Sequence, residues 1–178
     1  MADNETNVTT ETNEVGQLQR SALLHFLQTP FALPLAAEQS WYKIGKHVSD
    51  MSVNLNPQTE TIKNILDETE VNDNGYEPAY DVDTYYANPK DAIYDDVKNI
   101  SLNRKKGDDC KTVCMEVLID KTEGPFDAWI EDVVVKTQSY GGQQGGVRFP
   151  FNVAFCGNRI KGTVTFDATG KPTFTAAV

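Results

Sequence analysis

The stretch FPFNVAFCGNRIKGTVTF, residues 149–166, constrains the fold more than any other part of this sequence. Gly157-Asn158 stands at its centre, a pair suited to a two-residue turn. Read as a hairpin, the stretch pairs Phe155 with Ile160, Val153 with Gly162, Phe151 with Val164 and Phe149 with Phe166. Every pair on that face is apolar or glycine. The other face pairs Ala154 with Lys161, Asn152 with Thr163 and Pro150 with Thr165, with Arg148 opposite Asp167 at the end. A slip of one residue would turn the aromatic face to water, so this register is strongly preferred. Pro150 places its strand near an edge or a bulge. Antiparallel β-structure is the expectation that follows.

The same period of two recurs upstream. From Val48 to Asn56, Met51, Val53 and Leu55 point one way, and Asp50, Ser52, Asn54 and Asn56 the other. That is the pattern of a strand with one buried and one wet face. Residues 41–46 lead into it, with Gly45 as a bend. Further strands are expected over 58–68, 80–88, 112–120, 126–139 and near 171–176. The 58–68 run, QTETIKNILDE, has only Ile62 and Leu66 as anchors and is polar on both faces. Residues 69–79 and 139–147 read as loops, from NDNG and GGQQGG.

One helix is expected, over about residues 89–101. Asn88 is placed as its N-cap, Pro89 at the first helical position and Asp91 in the first turn. Ile93, Val97 and Ile100 share a face, and NRKKG closes the C-terminus. Residues 18–29 fit a short helix slightly better than a strand, with a buried strand over 22–28 as the alternative. Pro30 and Pro34 end either one. The organisation read from the chain is a tail over 1–17, an arm and linker over 18–40, and a β-domain over 41–178. The fold class is mainly β within α+β, an antiparallel β-sandwich or flattened barrel with one packed helix.

Charge narrows the function. The 178 residues carry 16 Lys and Arg against 26 Asp and Glu, a net charge of −10. A wall of this sign repels polyanions and lacks the cations that tight phosphate binding needs. The N-terminal residues are acidic and polar, unlike a signal peptide, and no apolar run reaches the ~20 residues of a membrane span. Cytoplasmic synthesis is the expectation. Three cysteines, Cys110, Cys114 and Cys156, make an odd number and are read as reduced thiols. The C-x-x-x-C spacing of the first two does not match a zinc or redox knuckle.

Catalytic signatures are lacking: there is no nucleophile elbow, zincin helix, phosphate loop or EF-hand loop. His25 and His47 have no carboxylate at ligand spacing and read as surface or core-edge residues. Asp81 and Asp83 share a strand face ~7 Å apart, a spacing open to an acid-pair hydrolase or a calcium site. Trp41 and Trp129 are open to a carbohydrate platform or to buried anchoring roles. The expectation is a protein that is not an enzyme and has no cofactor or metal. Its excess of poorly anchored β-surface invites another chain.

The runs RSALLHFL, WYKIGK with VSDMSVNLNP, QTETIKNILDETE, GYEPAY and NPKD occur in the order found in a known family. In them the sequence resembles major tail tube proteins of long-tailed phages and prophages of Gram-positive bacteria. The resemblance spans roughly residues 20–178. The stretch FLQTPFALPLAAEQSW is longer than the usual connection.

The resemblance implies a virion tail protein assembled in the bacterial cytoplasm. Its subunits form rings of about six that stack into a tube by heterologous contacts. The implied partners are further copies of itself, a tape measure protein, a tail terminator, and baseplate or initiator proteins, with DNA in non-specific transit and no membrane. Asp50, Ser52, Asn54 and Asn56 are the candidates for lining the lumen, since neutral and acidic groups let phosphates slide. Asn72, Asn74 and Tyr76, with Gly141, Gln143 and Gln144, are candidates for ring-to-ring contact, along with residues 1–40. A carbohydrate-binding or other β-sandwich binding module is the alternative.

Overall fold

A computed structural model describes residues 16–46, 48 and 50–177. Most of the tail expected over 1–17, and His47, lie outside the described residues. Among the described residues there are nine strands and one α-helix. The strands are β1 (Leu23–Gln28), β2 (Trp41–Ile44), β3 (Pro57–Lys63), β4 (Thr69–Tyr76), β5 (Ala79–Val82), β6 (Lys111–Leu118), β7 (Phe126–Thr137), β8 (Phe151–Phe166) and β9 (Pro172–Ala176). The helix, α1, spans Tyr94–Leu102. Seven strands form one antiparallel sheet in the order β2-β1-β6-β7-β8-β5, with β9 also on β8. The sheet curls into a half-barrel. β3 and β4 form a separate two-stranded ribbon.

The sheet is buried on both faces. Along β6, Cys114 joins one apolar cluster while Val113, Met115 and Val117 join another. Alternate residues of a strand point to opposite faces, so the clusters lie on opposite sides of the sheet. The first is covered by Ile93 and the α1 residues Val97 and Ile100. Each of these side chains contributes about 1.5–3 kcal/mol by leaving water. The second is closed by the curl of the sheet. Gln39, just before β2 at one margin, reaches Phe174 of β9 near the other. Its side-chain amide donates to the Phe174 carbonyl at 3.0 Å, and its amide oxygen accepts from the Phe174 N–H at 2.8 Å.

The hairpin expected at Gly157-Asn158 is not formed. β8 runs unbroken from Phe151 to Phe166 beside the long β7. Phe155 pairs with Val133, and Ile160 pairs with Ile130, not with each other. The positive φ of Gly157 (96°) and Asn158 (58°) is real, but it makes a bulge in a continuous strand. The glutamate of β7 secures it. Glu131, only 7% exposed, accepts the Gly157 N–H at 3.2 Å and Arg159 Nη1 at 2.9 Å. Phe151 and Val153 before the bulge pack in the first core, and Val164 after it packs in the second. One strand therefore serves two cores, with β5 on its first half and β9 on its second.

Other expectations also need correction, and the strand expected over 80–88 is β5, which stops at Val82. Residues 48–56 do not form a strand, and only an Asn54–Ala79 bridge ties them to β5. Burial still alternates through Met51 and Val53, because the period reports extended backbone and not pairing. Residues 23–28 form not the slightly preferred helix but its alternative, a buried strand, β1, between β2 and β6. Residues 69–76, expected as a loop, form β4. The helix begins at Tyr94, because Asn88 closes a separate turn: its side chain accepts from Lys90 N–H at 3.1 Å and its carbonyl from Asp91 N–H at 2.9 Å.

Candidate functional site

Solvent-facing features dominate the candidate surfaces. The ribbon is the most prominent. β3 and β4 pair with each other and with no other strand, and they pack against the rest of the fold to no substantial extent. Nearly every ribbon residue is exposed, including Ile62, Val71 and Tyr76. At the tip, Ile65 is fully exposed and Leu66 is 71% exposed. The tip is nevertheless ordered by its own chemistry. Asn64 Oδ1 accepts from the Leu66 and Glu68 N–H groups at 2.9 and 3.1 Å, and Asn64 Nδ2 donates to Glu68 Oε2 at 2.9 Å. An isolated two-stranded ribbon is marginal in water, so a surface of this kind gains from a partner.

The two groups expected at ring contacts are placed on different elements. Asn72, Asn74 and Tyr76 lie on β4, with Asn72 opposite Glu60 and Tyr76 opposite Pro57. Gly141, Gln143 and Gln144 lie in the loop after β7. That loop is pinned by a Gly141–Arg148 bridge and a Gly146 N–H to the Gln143 carbonyl at 3.3 Å. Asp50, Ser52, Asn54 and Asn56 are all exposed along one extended segment. Arg20 Nη2 donates to the Met51 carbonyl at 3.0 Å, and Asn56 Nδ2 donates to the Glu77 carbonyl at 3.0 Å, holding the segment at both ends.

The remaining candidates are engaged structurally. Asp81 Oδ1 accepts from Gln138 Nε2 at 2.7 Å and Asn152 Nδ2 at 3.0 Å, while Asp83 lines a different cleft beside Arg148. Trp129 is half-buried, with Arg159 and Lys161 over its ring at 5.8 and 5.7 Å. Trp41 packs on the second core, and its Nε1 donates to Gln39 Oε1 at 3.3 Å. Burial pushes the Cys114 thiol up to about 12, leaving it protonated at neutral pH. Cys110 is buried too, Cys156 is exposed, and all three are free. Among the described residues, no three His, Cys, Asp or Glu side chains gather as metal ligands.

A charge cluster escaped sequence reasoning. His25, expected at the surface or core edge, is 2% exposed. Its Nε2 lies 3.3 Å from Glu116 Oε1. Arg159 Nη2 donates to Glu116 Oε2 at 2.7 Å. Burial pushes the Glu116 carboxyl up, but His25 and Arg159 together outweigh it and hold the group below its ordinary range. These residues come from β1, β6 and β8, so no local pattern marks them.

No protein-family model matches the sequence, and no curated protein does so significantly. Solved structures do. The subunit of the SPP1 tail tube, known from solid-state NMR and cryo-EM, superposes over 86% of this chain and 83% of its own, with a TM-score of 0.56 and 12% identity. The chain has a phage tail tube-like fold. A weaker likeness is to the cap that terminates the anti-feeding prophage tube, with a TM-score of 0.46, 12% identity, and coverage of 92% and 99%. The tail tube-like fold accounts for the mainly β, antiparallel architecture with one packed helix.

Proposed function

We propose that this protein is the structural subunit of a phage tail tube and acts by self-assembly without catalysis. The observation that carries this reading is the superposition on the SPP1 tail tube subunit over most of both chains. The exposed ribbon adds physical support, because it carries apolar side chains that the subunit's own fold leaves in water. In this reading subunits close into rings of about six, and rings stack by heterologous contacts. Asp50, Ser52, Asn54 and Asn56 face the lumen, where one carboxylate and neutral amides give sliding DNA no cation to hold it. Asn72, Asn74 and Tyr76 on the ribbon, and Gly141, Gln143 and Gln144 on the loop, meet the next ring. The tape measure protein fills the lumen before DNA, terminator and initiator proteins close the ends, and the assembled tail belongs to a virion built in the host cytoplasm.

Negative-stain electron microscopy of the purified protein, alone and with its initiator complex, tests the proposal. Hollow tubes of uniform width are the expected result. Monomers that persist under every condition, initiator included, would overturn it.

A further inference from the structure

A cleft lies between the C-terminal turn of α1 and the end of β7. Ile100, Ser101, Arg104, Lys105, Lys136 and Tyr140 are among its lining residues, which include three cations and no carboxylate. In a chain of net charge −10 that grouping is against the average. The cations are held there by the helix end. Lys105 N–H donates to the Ile100 carbonyl at 3.2 Å, with Arg104 in the left-handed conformation, the arrangement of a Schellman cap. Lys136 Nζ donates to the Lys105 carbonyl at 3.3 Å and to Cys110 Sγ at 3.2 Å. Lys105 pairs with the exposed Asp109 at 3.1 Å. Arg104 and Lys136 have no carboxylate in ion-pair range among the described residues. A cleft lined by one sign of charge attracts the opposite sign.

The ribbon carries that opposite sign. It holds Glu60, Asp67, Glu68, Glu70 and Asp73 against the single Lys63. At its tip two exposed aliphatic residues, Ile65 and Leu66, are bordered by Asp67 and Glu68. The cleft presents the converse: the exposed ring of Tyr140, bordered by cations. The two surfaces sit at opposite ends of β5. The ribbon leaves the fold beside Ala79, where Asn54 bridges. The cleft opens near Val82, where Asp81 holds the cleft residue Gln138.

We infer that the acidic ribbon tip of one copy seats in the Arg104–Lys105–Lys136 cleft of a second copy. The contact is heterologous and head-to-tail, so it leaves a free ribbon at one end and a free cleft at the other. Repetition extends a stack. The inference rests on the tube reading and names the surfaces through which one ring grips the next.

Charge reversal tests it. Arg104→Glu with Lys136→Glu, and separately Asp67→Lys with Glu68→Lys, change only exposed or cleft-lining groups; circular dichroism checks that each variant folds. Each pair alone is expected to raise the protein concentration needed for elongation by about tenfold or more at low salt. All four changes in one chain are expected to restore elongation, because the complementarity is inverted and not lost. An independent arm uses Ile65→Cys with Tyr140→Cys in a Cys156→Ser background. Oxidation should then give an intermolecular disulfide ladder on a non-reducing gel.

Normal tube growth by both reversed pairs, or no ladder from chains that form tubes, overturns the ribbon–cleft contact and leaves the tube reading standing. Failure of the parent chain to form tubes in any condition overturns both. If a fluorescent DNA oligonucleotide binds the parent chain and is released by Arg104→Glu with Lys136→Glu while tube growth is unchanged, the cleft is a phosphate site and the inference is wrong.

Discussion

At the scale of single residues, Gly162 and Glu131 have the sharpest consequences. Gly162 is buried where β8 meets β9, and a Cβ there would stand 2.2 Å from the Thr175 carbonyl oxygen and 2.5 Å from Phe174 Cζ. The nearer obstacle is backbone and cannot swing aside. Gly162→Ala should therefore destabilise the fold by about 1–3 kcal/mol, read as a lower urea midpoint. Glu131 holds the bulge by its two hydrogen bonds, so Glu131→Ala strands a part-buried N–H and a partly buried guanidinium. A loss of about 1–3 kcal/mol is expected by the same measurement. Glu116 supplies a pH dependence. Its folded pKa lies below the ordinary 4.5, so its contribution is full above that value and lost as pH falls through the lowered one. Urea midpoints measured against pH should fall below about pH 4.5 in the parent chain, and Glu116→Gln should flatten that acid limb.

At the scale of elements, the ribbon is separable from the fold. Its strands pair only with each other, so replacing residues 58–75 with a short Gly-Ser turn should leave the thermal midpoint nearly unchanged while abolishing tube growth. Scanning calorimetry beside electron microscopy checks both halves of that expectation. Legibility in the sequence follows the same division. β6 and β7 were readable because buried strands carry apolar residues in number. β4 was not, because a ribbon with both faces in water has no hydrophobic period, and its NDNG run carries turn formers. The Gly157-Asn158 pair was read as a reversal, and its positive φ instead makes a bulge. Only the length of β7, which offers partners on both sides of the bulge, decides between the two outcomes. The segment 48–56 shows the converse: Val48, Met51 and Val53 pack on the core, with only the Asn54–Ala79 bridge to the sheet among the described residues. The assembly candidates on the ribbon and the 139–147 loop were legible as exposed polar positions. The Arg104–Lys136 cleft was not, since its cations come from a helix end and a strand brought together only by folding.

At the scale of the whole molecule, charge is distributed unevenly, with the ribbon acidic and one cleft basic. Attraction between exposed charges weakens as the screening length falls from ~10 Å at 0.1 M salt to ~3 Å at 1 M. Tube elongation followed by light scattering should therefore slow as sodium chloride rises over that range. An elongation rate independent of salt would mean that apolar contact alone drives stacking.

The Gln39 amide has one more consequence. By engaging both polar atoms of Phe174 it stands in for a neighbouring strand one residue long, and Pro172 next along β9 brings no N–H at all. An incoming segment that tried to add itself at that border would meet atoms already spoken for. Sheet growth between molecules is thereby disfavoured at that border.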